Sequence, residues 1–196
     1  MEIENKIPKS CKVVVIGGGV AGCSTAYHLA KYGWKDTVLL ERDVLTSGTT
    51  WHAAGLIGQL GSSATITKLR NYSLNLYKRL EEETGLSTGL KQNGSLTVAT
   101  TLDRLEELKR QLTFAQRFDI EARQISNEEI KEIYPLINTE DLVGGVFIKK
   151  DGQADPVGVA NVMAKAARQN GATIIEKCPV KKILTKKNKI RSLIHI

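Results

Sequence analysis

Residues 13–41 constrain the fold more tightly than any other stretch of the chain. Val13-Val14-Val15-Ile16 is a run of four β-branched apolar residues, the pattern of a strand buried on both faces of a parallel sheet. It leads directly into Gly17-Gly18-Gly19-Val20-Ala21-Gly22, with glycines at the first, third and sixth places of the turn. Cys23 to Tyr32 then reads as a helix closed by Gly33, and Thr37-Val38-Leu39-Leu40 reads as a second strand ending at Glu41. Each part suits a dinucleotide. Gly17 permits the tight turn out of the strand, Gly19 lets backbone approach a pyrophosphate, and Gly22 brings the helix close to the sheet. The helix N-terminus offers amide donors and a partial positive charge. Glu41, about twenty residues downstream, can accept both ribose hydroxyls. Its charge repels a 2′-phosphate, so NAD or FAD is expected rather than NADP. The expected fold is α/β, with a Rossmann-like parallel sheet of the FAD/NAD(P)-binding type.

The segment after the acid is irregular: Thr46-Ser47-Gly48-Thr49-Thr50-Trp51-His52-Ala53-Ala54-Gly55-Leu56. Gly48 and Gly55 allow backbone to approach a flat ligand, and the Thr49 and Thr50 hydroxyls can bond phosphate or ribitol oxygens. With Glu41-Arg42 before it, this stretch resembles the FAD-dependent dimethylglycine and sarcosine dehydrogenases, within the wider D-amino-acid oxidase and glycine oxidase superfamily. The resemblance runs from Lys12 to Val180 and includes Leu80-Glu81-Glu82-Glu83-Thr84-Gly85, Asp151-Gly152 and Asp155-Pro156.

The resemblance implies FAD as cofactor and, carried by the Rossmann-like parallel sheet, an inserted and incomplete α+β substrate domain. It implies that Val20 and Ala21 lie against the pyrophosphate and that Glu41 and Arg42 hold the adenosine ribose region. Gly48, Thr49, Thr50, Trp51, His52, Ala53, Ala54, Gly55 and Leu56 would wrap the pyrophosphate and flavin ring, and Val180 would give main-chain hydrogen bonds to the adenine. His52 falls where the family's histidine is joined covalently to the 8α-methyl of the flavin. The implied activity is oxidation of an N-methylated glycine-type amine, dimethylglycine or sarcosine, with oxygen or a flavoprotein as electron acceptor. A second reading is a non-catalytic regulatory subunit of the same fold, like the pyruvate dehydrogenase phosphatase regulatory protein; that relative lacks the Trp-His pair, which this chain retains. A plain NAD-binding Rossmann protein has no need of such a loop.

The rest of the chain predicts three blocks: residues 1–85 as the first part of the FAD-binding domain, 86–150 as the start of the substrate domain, and 151–196 as a return to the FAD-binding domain. Helical spacing runs through Thr67–Glu83 and Leu102–Ala115, and Asn93-Gly94 signals a hairpin over Leu90–Thr100. Ser126-Asn127-Glu128-Glu129 is a capping box, and Asp155-Pro156 is an N-cap followed by proline at the first helical position. No metal-ligand spacing and no Ser-His-Asp order is present, so no catalytic residue is assigned. Enzymes of the family continue for several hundred residues beyond the place matched by Ile196. The chain is therefore expected to be an N-terminal fragment, with the substrate cavity and any tetrahydrofolate site lying downstream.

Composition narrows the partners. The net charge is +7, but the basic cluster at Lys177, Lys181, Lys182, Lys186, Lys187 and Lys189 lacks interleaved aromatics, so a solvated strand face is expected and nucleic acid is not. The three cysteines, Cys11, Cys23 and Cys178, show no metal spacing and read as free thiols. No apolar run reaches the length of a membrane span. Met1–Lys6 has the character of neither a secretory signal nor an organelle presequence, so the cytoplasm is the expected compartment, or the mitochondrial matrix if a presequence precedes it.

Overall fold

A computed structural model of the protein describes residues 7–195; the Met1–Lys6 segment, on which the expected compartment rests, lies outside them. The chain divides into two compact units. The first holds the residues through Gly55, then Tyr77–Gly89, then those from Asp155 onward, and the second holds Leu56–Leu76 and Leu90–Ala154.

In the first unit, strands β1 (Val13–Ile16), β2 (Thr37–Leu40) and β8 (Thr173–Ile175) form a parallel sheet in the order β1-β2-β8. Every residue of β2 is buried, as a central parallel strand requires. β1 alternates half-buried and exposed residues, because β2 is its one strand neighbour among the described residues. Helix α1 (Val20–Lys31) starts three residues earlier than its sequence pattern suggests, since Gly19 acts as the N-cap and the glycine turn feeds straight into the helix. It packs on α5 (Pro156–Gln169). Cys23, Ala26 and Ala30 on one side and Ala160, Ala164 and Ala167 on the other keep both faces small enough for close approach. Asp155 caps α5, accepting from the Val157 N–H at 3.0 Å with Pro156 at the first position, as expected. Opposite α1 a second apolar layer of Val38, Leu40, Ile175 and Cys178 is covered by Val180 and Leu193. These last two belong to β9 (Val180–Lys186) and β10 (Lys189–His195), an antiparallel hairpin. It turns at Lys187-Asn188, both in the left-handed region. All residues from 181 to 192 are exposed, so the lysine cluster lies on solvated strands and a turn.

In the second unit, β4 (Ser95–Ala99), β6 (Gly144–Ile148) and β5 (Ala122–Ile125) form an antiparallel sheet with β6 in the middle. Helix α3 (Leu102–Gln116) lays Leu105, Leu108 and Ala115 against Val146 and Ile148. The short helix α4 (Asn127–Ile133) opens with the predicted capping box, in which Ser126 and Glu129 each bond the other's backbone. Strands β3 (Leu56–Ile57) and β7 (Gly152–Gln153) pair antiparallel.

Two expectations fail here. Asn93-Gly94 does not turn a hairpin: β4 pairs with β6, and Lys91 bridges to Gln153 instead. Gly94 takes φ +85, which favours glycine, and a Cβ there would also meet the Phe147 ring at 2.3 Å. The first domain boundary also moves. Helix α2 (Ala64–Thr84) is divided between the units, and residues 56–76 group with the second. Its first turns hold the segment after β3, through Gln59 Nε2 to Asn71 at 2.7 Å, the Gly61 N–H to Thr67 at 3.1 Å, and Arg70 to the Leu60 carbonyl.

Candidate cofactor site

The glycine turn is built by the sheet beneath it. The Gly17 N–H continues the parallel ladder by donating to the Leu40 carbonyl at 2.8 Å. Gly17 then takes φ +107, the left-handed region that glycine alone tolerates freely. A Cβ on Gly22 would lie 1.9 Å from the Gly17 oxygen, so the helix touches the turn only because that side chain is absent. Nothing lies within 4 Å of where Gly17 or Gly48 would carry a Cβ. That leaves open space over the turn, as a ligand approaching its backbone needs.

Glu41 sits under this turn, 7% exposed. Its Oε2 accepts from the Gly18 N–H at 2.5 Å and its Oε1 from the Asp43 N–H at 2.9 Å. Two amides therefore fix the carboxylate, and each oxygen retains acceptor capacity for a hydroxyl. The spacing pattern does not mark Gly18 as a partner, because the middle glycine lies at a free place in it. Here it is closely enclosed: a Cβ would stand 2.5 Å from Leu45 and 3.0 Å from Glu41. The thiol of Cys23 reaches the Gly18 carbonyl at 3.5 Å, and burial pushes it up to about 11. It is protonated at neutral pH and serves packing. Arg42, next to Glu41, is exposed.

The stretch after Glu41 folds back onto the glycines. The Thr46 N–H donates to the Gly18 carbonyl at 3.0 Å, with Thr46 at φ +70, a strained conformation for a β-branched residue. Its neighbour Leu45 gives its N–H to Glu176 at 2.6 Å, and Lys177 pairs with Asp43. That salt bridge holds the exposed Asp43 carboxyl below its ordinary range. Buried Thr50 then places its Oγ1 3.0 Å from the Val20 N–H, accepting from the first turn of α1. The Thr50 oxygen is thus engaged by the helix, and only its hydroxyl proton is left to offer a phosphate.

Thr50–His52 form a single 3-10 turn, and Thr49 and Trp51 to Ala54 are exposed. The Trp51 and His52 rings lie 3.8 Å apart between centroids, tilted by 38°. The structure therefore brings Gly17, Gly19, Val20, Ala21, Gly22, Glu41 and Thr50 together, with Trp51 and His52 presented just beyond. Val180 is half-buried at the start of β9, against the sheet layer of Val38 and Leu40. Leu56 belongs to the second unit, in β3, where it is 80% exposed although its backbone is paired with Gln153. A separate cleft of about 480 Å³ in that unit is lined by residues 124–128 with Val143 and Gly144, none of them a predicted site residue.

A parallel sheet, a glycine turn feeding a helix, and an acid fixed at the next strand end define a dinucleotide-binding protein. The chain belongs to the FAD dependent oxidoreductase family, which matches residues 12–194. It is 47% identical to the mitochondrial sarcosine dehydrogenase of Homo sapiens over 175 residues, 89% of this chain and 19% of that protein. It is 41% identical to the mitochondrial dimethylglycine dehydrogenase of Homo sapiens over 180 residues, 92% of this chain and 21% of the other. The mitochondrial pyruvate dehydrogenase phosphatase regulatory subunit of Mus musculus is 40% identical over 184 residues, 94% and 21% of the two. Among solved structures, the L-proline dehydrogenase from P. horikoshii superposes with a TM-score of 0.89 at 30% identity, covering 96% of this chain and 50% of that one. The chain spans about a fifth of the length of these curated relatives.

Proposed function

We propose that this chain is the FAD-anchoring part of an oxidoreductase that oxidises an N-methylated glycine-type amine, dimethylglycine or sarcosine, with FAD attached through His52. The observation that carries this reading is the Trp51-His52 pair. It is held exposed by a loop whose root is locked to the glycine turn through Thr46 and Thr50. A regulatory subunit of the same fold needs no such pair, and similarity alone does not separate it, being 40% against 41 and 47% for the enzymes.

Glu41 would hold the adenosine ribose beside Arg42, and the Val20 and Ala21 backbone would face the pyrophosphate. Gly48 to Leu56 would wrap the flavin, while Val180 would meet the adenine through its main chain. FAD, when bound, supplies a two-electron acceptor for the carbon beside the amine nitrogen. The chain's own residues fix where that acceptor sits; the substrate-binding residues, the electron acceptor's surface and any tetrahydrofolate site are assigned to the remainder of such an enzyme. The compartment that fits this reading is the mitochondrial matrix; the sarcosine and dimethylglycine dehydrogenases named above are mitochondrial.

The test is a denaturing gel of the full-length protein. A fluorescent flavin band that survives acid precipitation and disappears in His52→Ala is the expected result. Flavin that is released on denaturation overturns the covalent attachment, and retained fluorescence in His52→Ala moves it to another residue.

A further inference from the structure

The Asp151-Gly152 pair has no part in the function described so far, yet Asp151 is a carboxylate only 4% exposed. Its Oδ1 accepts from the Gln59 N–H and its Oδ2 from the Ser95 hydroxyl, each at 2.7 Å. Its own carbonyl accepts from the Gly94 N–H at 2.9 Å. Two segments distant in sequence, one at Gln59 and one at Gly94-Ser95, therefore converge on one residue. The neighbours extend the arrangement: Gly152 and Gln153 pair with Ile57 and Leu56, and Gln153 exchanges both backbone hydrogen bonds with Lys91 at 2.8 and 3.0 Å. Gly152 cannot be replaced, since a Cβ would lie 1.9 Å from the Lys91 oxygen.

Burying a carboxylate is costly unless it is hydrogen-bonded, so a sequence that needed only to close β3 against β7 would have no use for one here. What a buried acceptor adds is a fixed backbone position for residues 56–59. That segment carries an exposed apolar side chain on a fixed backbone: Leu56 is 80% exposed on a strand whose backbone is paired with β7 and followed by the bond from Gln59 to Asp151. An apolar side chain held rigidly in the open suits a flat apolar ligand face that covers it.

We propose that Asp151 is a positioning residue for the flavin: it fixes the Leu56–Gln59 backbone and thereby the apolar face that β3 offers to the ring. This rests on the FAD reading above. Asp151→Ala leaves the Gln59 N–H and the Ser95 hydroxyl without their acceptor. Asp151→Asn keeps an oxygen for the amide and can donate to the Ser95 oxygen, so it restores most of the effect, and Ser95→Ala gives an intermediate one. Loss of a hydrogen bond to a charged group corresponds to roughly a tenfold change in a local opening equilibrium.

The experiment uses the full-length holoprotein and compares Asp151→Ala, Asp151→Asn, Ser95→Ala and a core control, Leu108→Ala. It reads amide exchange over residues 56–59 together with the visible absorption and circular dichroism of the bound flavin. Asp151→Ala is expected to raise exchange at these amides about tenfold and to shift the flavin spectrum, with Asp151→Asn close to wild type. Leu108→Ala is expected to lower the melting temperature and leave the spectrum unchanged. If Asp151→Ala does not fold, Ser95→Ala and Asp151→Asn still give the ordered series. Flavin spectra and local exchange that are the same in wild type and in the Asp151 and Ser95 variants overturn the proposal, and so does an equal spectral shift in Leu108→Ala. A wild-type protein that carries no flavin overturns the FAD reading itself, and the proposal with it.

Discussion

A methyl group added to Gly22 would stand 1.9 Å from the Gly17 carbonyl oxygen, and that oxygen cannot move alone, because the Gly17 N–H is tied to Leu40. The clash must be relieved by lifting α1 from the sheet, which also strains the Thr50–Val20 contact. Gly22→Ala is therefore expected to lose about 3 kcal/mol of stability, the upper end of ordinary overpacking, measured by urea unfolding of the flavin-free protein. A loss near zero would show that α1 is not held where the turn requires it. At this scale the sequence was legible where chemistry depends on near spacing. Gly17, Gly22 and Glu41 stand where the pattern puts them. Thr50, Glu176 and Gly18 were not legible, since their partners lie 30, 131 and 23 residues away and no local rule pairs them. Thr50 is expected from the loop as a phosphate contact, and the bond its oxygen accepts from Val20 leaves its hydroxyl proton for that role.

Elements were readable where they carry their own punctuation. The capping box of α4 and the Asp155-Pro156 start of α5 formed as written, because both are closed within a few residues. Asn93-Gly94 misled because the glycine answers a positive φ and a side chain from another strand rather than a hairpin turn. The acidic end of α2 shows the same dependence on distant need. Glu81 accepts from the Thr88 N–H at 2.6 Å, the Thr88 hydroxyl at 2.7 Å and the Ser87 hydroxyl at 3.1 Å, so it ties the loop after Gly85 to the helix. The Thr88 bonds hold its carboxyl below the usual carboxylate range. A folded value below the unfolded one means that its stabilisation is complete above the ordinary glutamate range and is lost as pH falls through the folded value. Glu81→Gln is therefore expected to be less stable than wild type at pH 7, with the gap closing below about pH 4.5. Urea midpoints at pH 7, 5, 4 and 3 read this directly; a gap that stays constant with pH would mean that the hydrogen bonds do not depend on the charge.

Across the whole chain, charge and sheet edges are distributed unevenly. Seven basic residues lie between Lys177 and Arg191, with no acid from 177 onward, and they account for the net charge of +7. The remainder is balanced, 21 basic against 21 acidic residues, so the excess belongs to the β9–β10 hairpin and to Lys177 just before it, and not to the glycine turn. The second unevenness is β1. It carries the glycine turn, yet its outer edge has no strand beside it among the described residues, and Val14 and Ile16 are 37 and 52% exposed. Parallel strands of this composition are normally buried on both faces, and an open apolar edge invites pairing with other chains. Trp51 to Ala54 are equally open. A bound cofactor ordinarily has most of its surface covered, and an open loop over an uncovered edge strand offers much less than that. Residues 1–196 expressed alone are thus expected to retain well below one FAD per chain after gel filtration, to self-associate, and to show no amine turnover. Flavin absorbance per protein and light scattering across the same column peak measure both. Near-stoichiometric flavin in a monodisperse peak would mean that the glycine turn, Glu41 and the Trp51-His52 loop hold the cofactor without further cover, and robust turnover would place the substrate site within these residues as well.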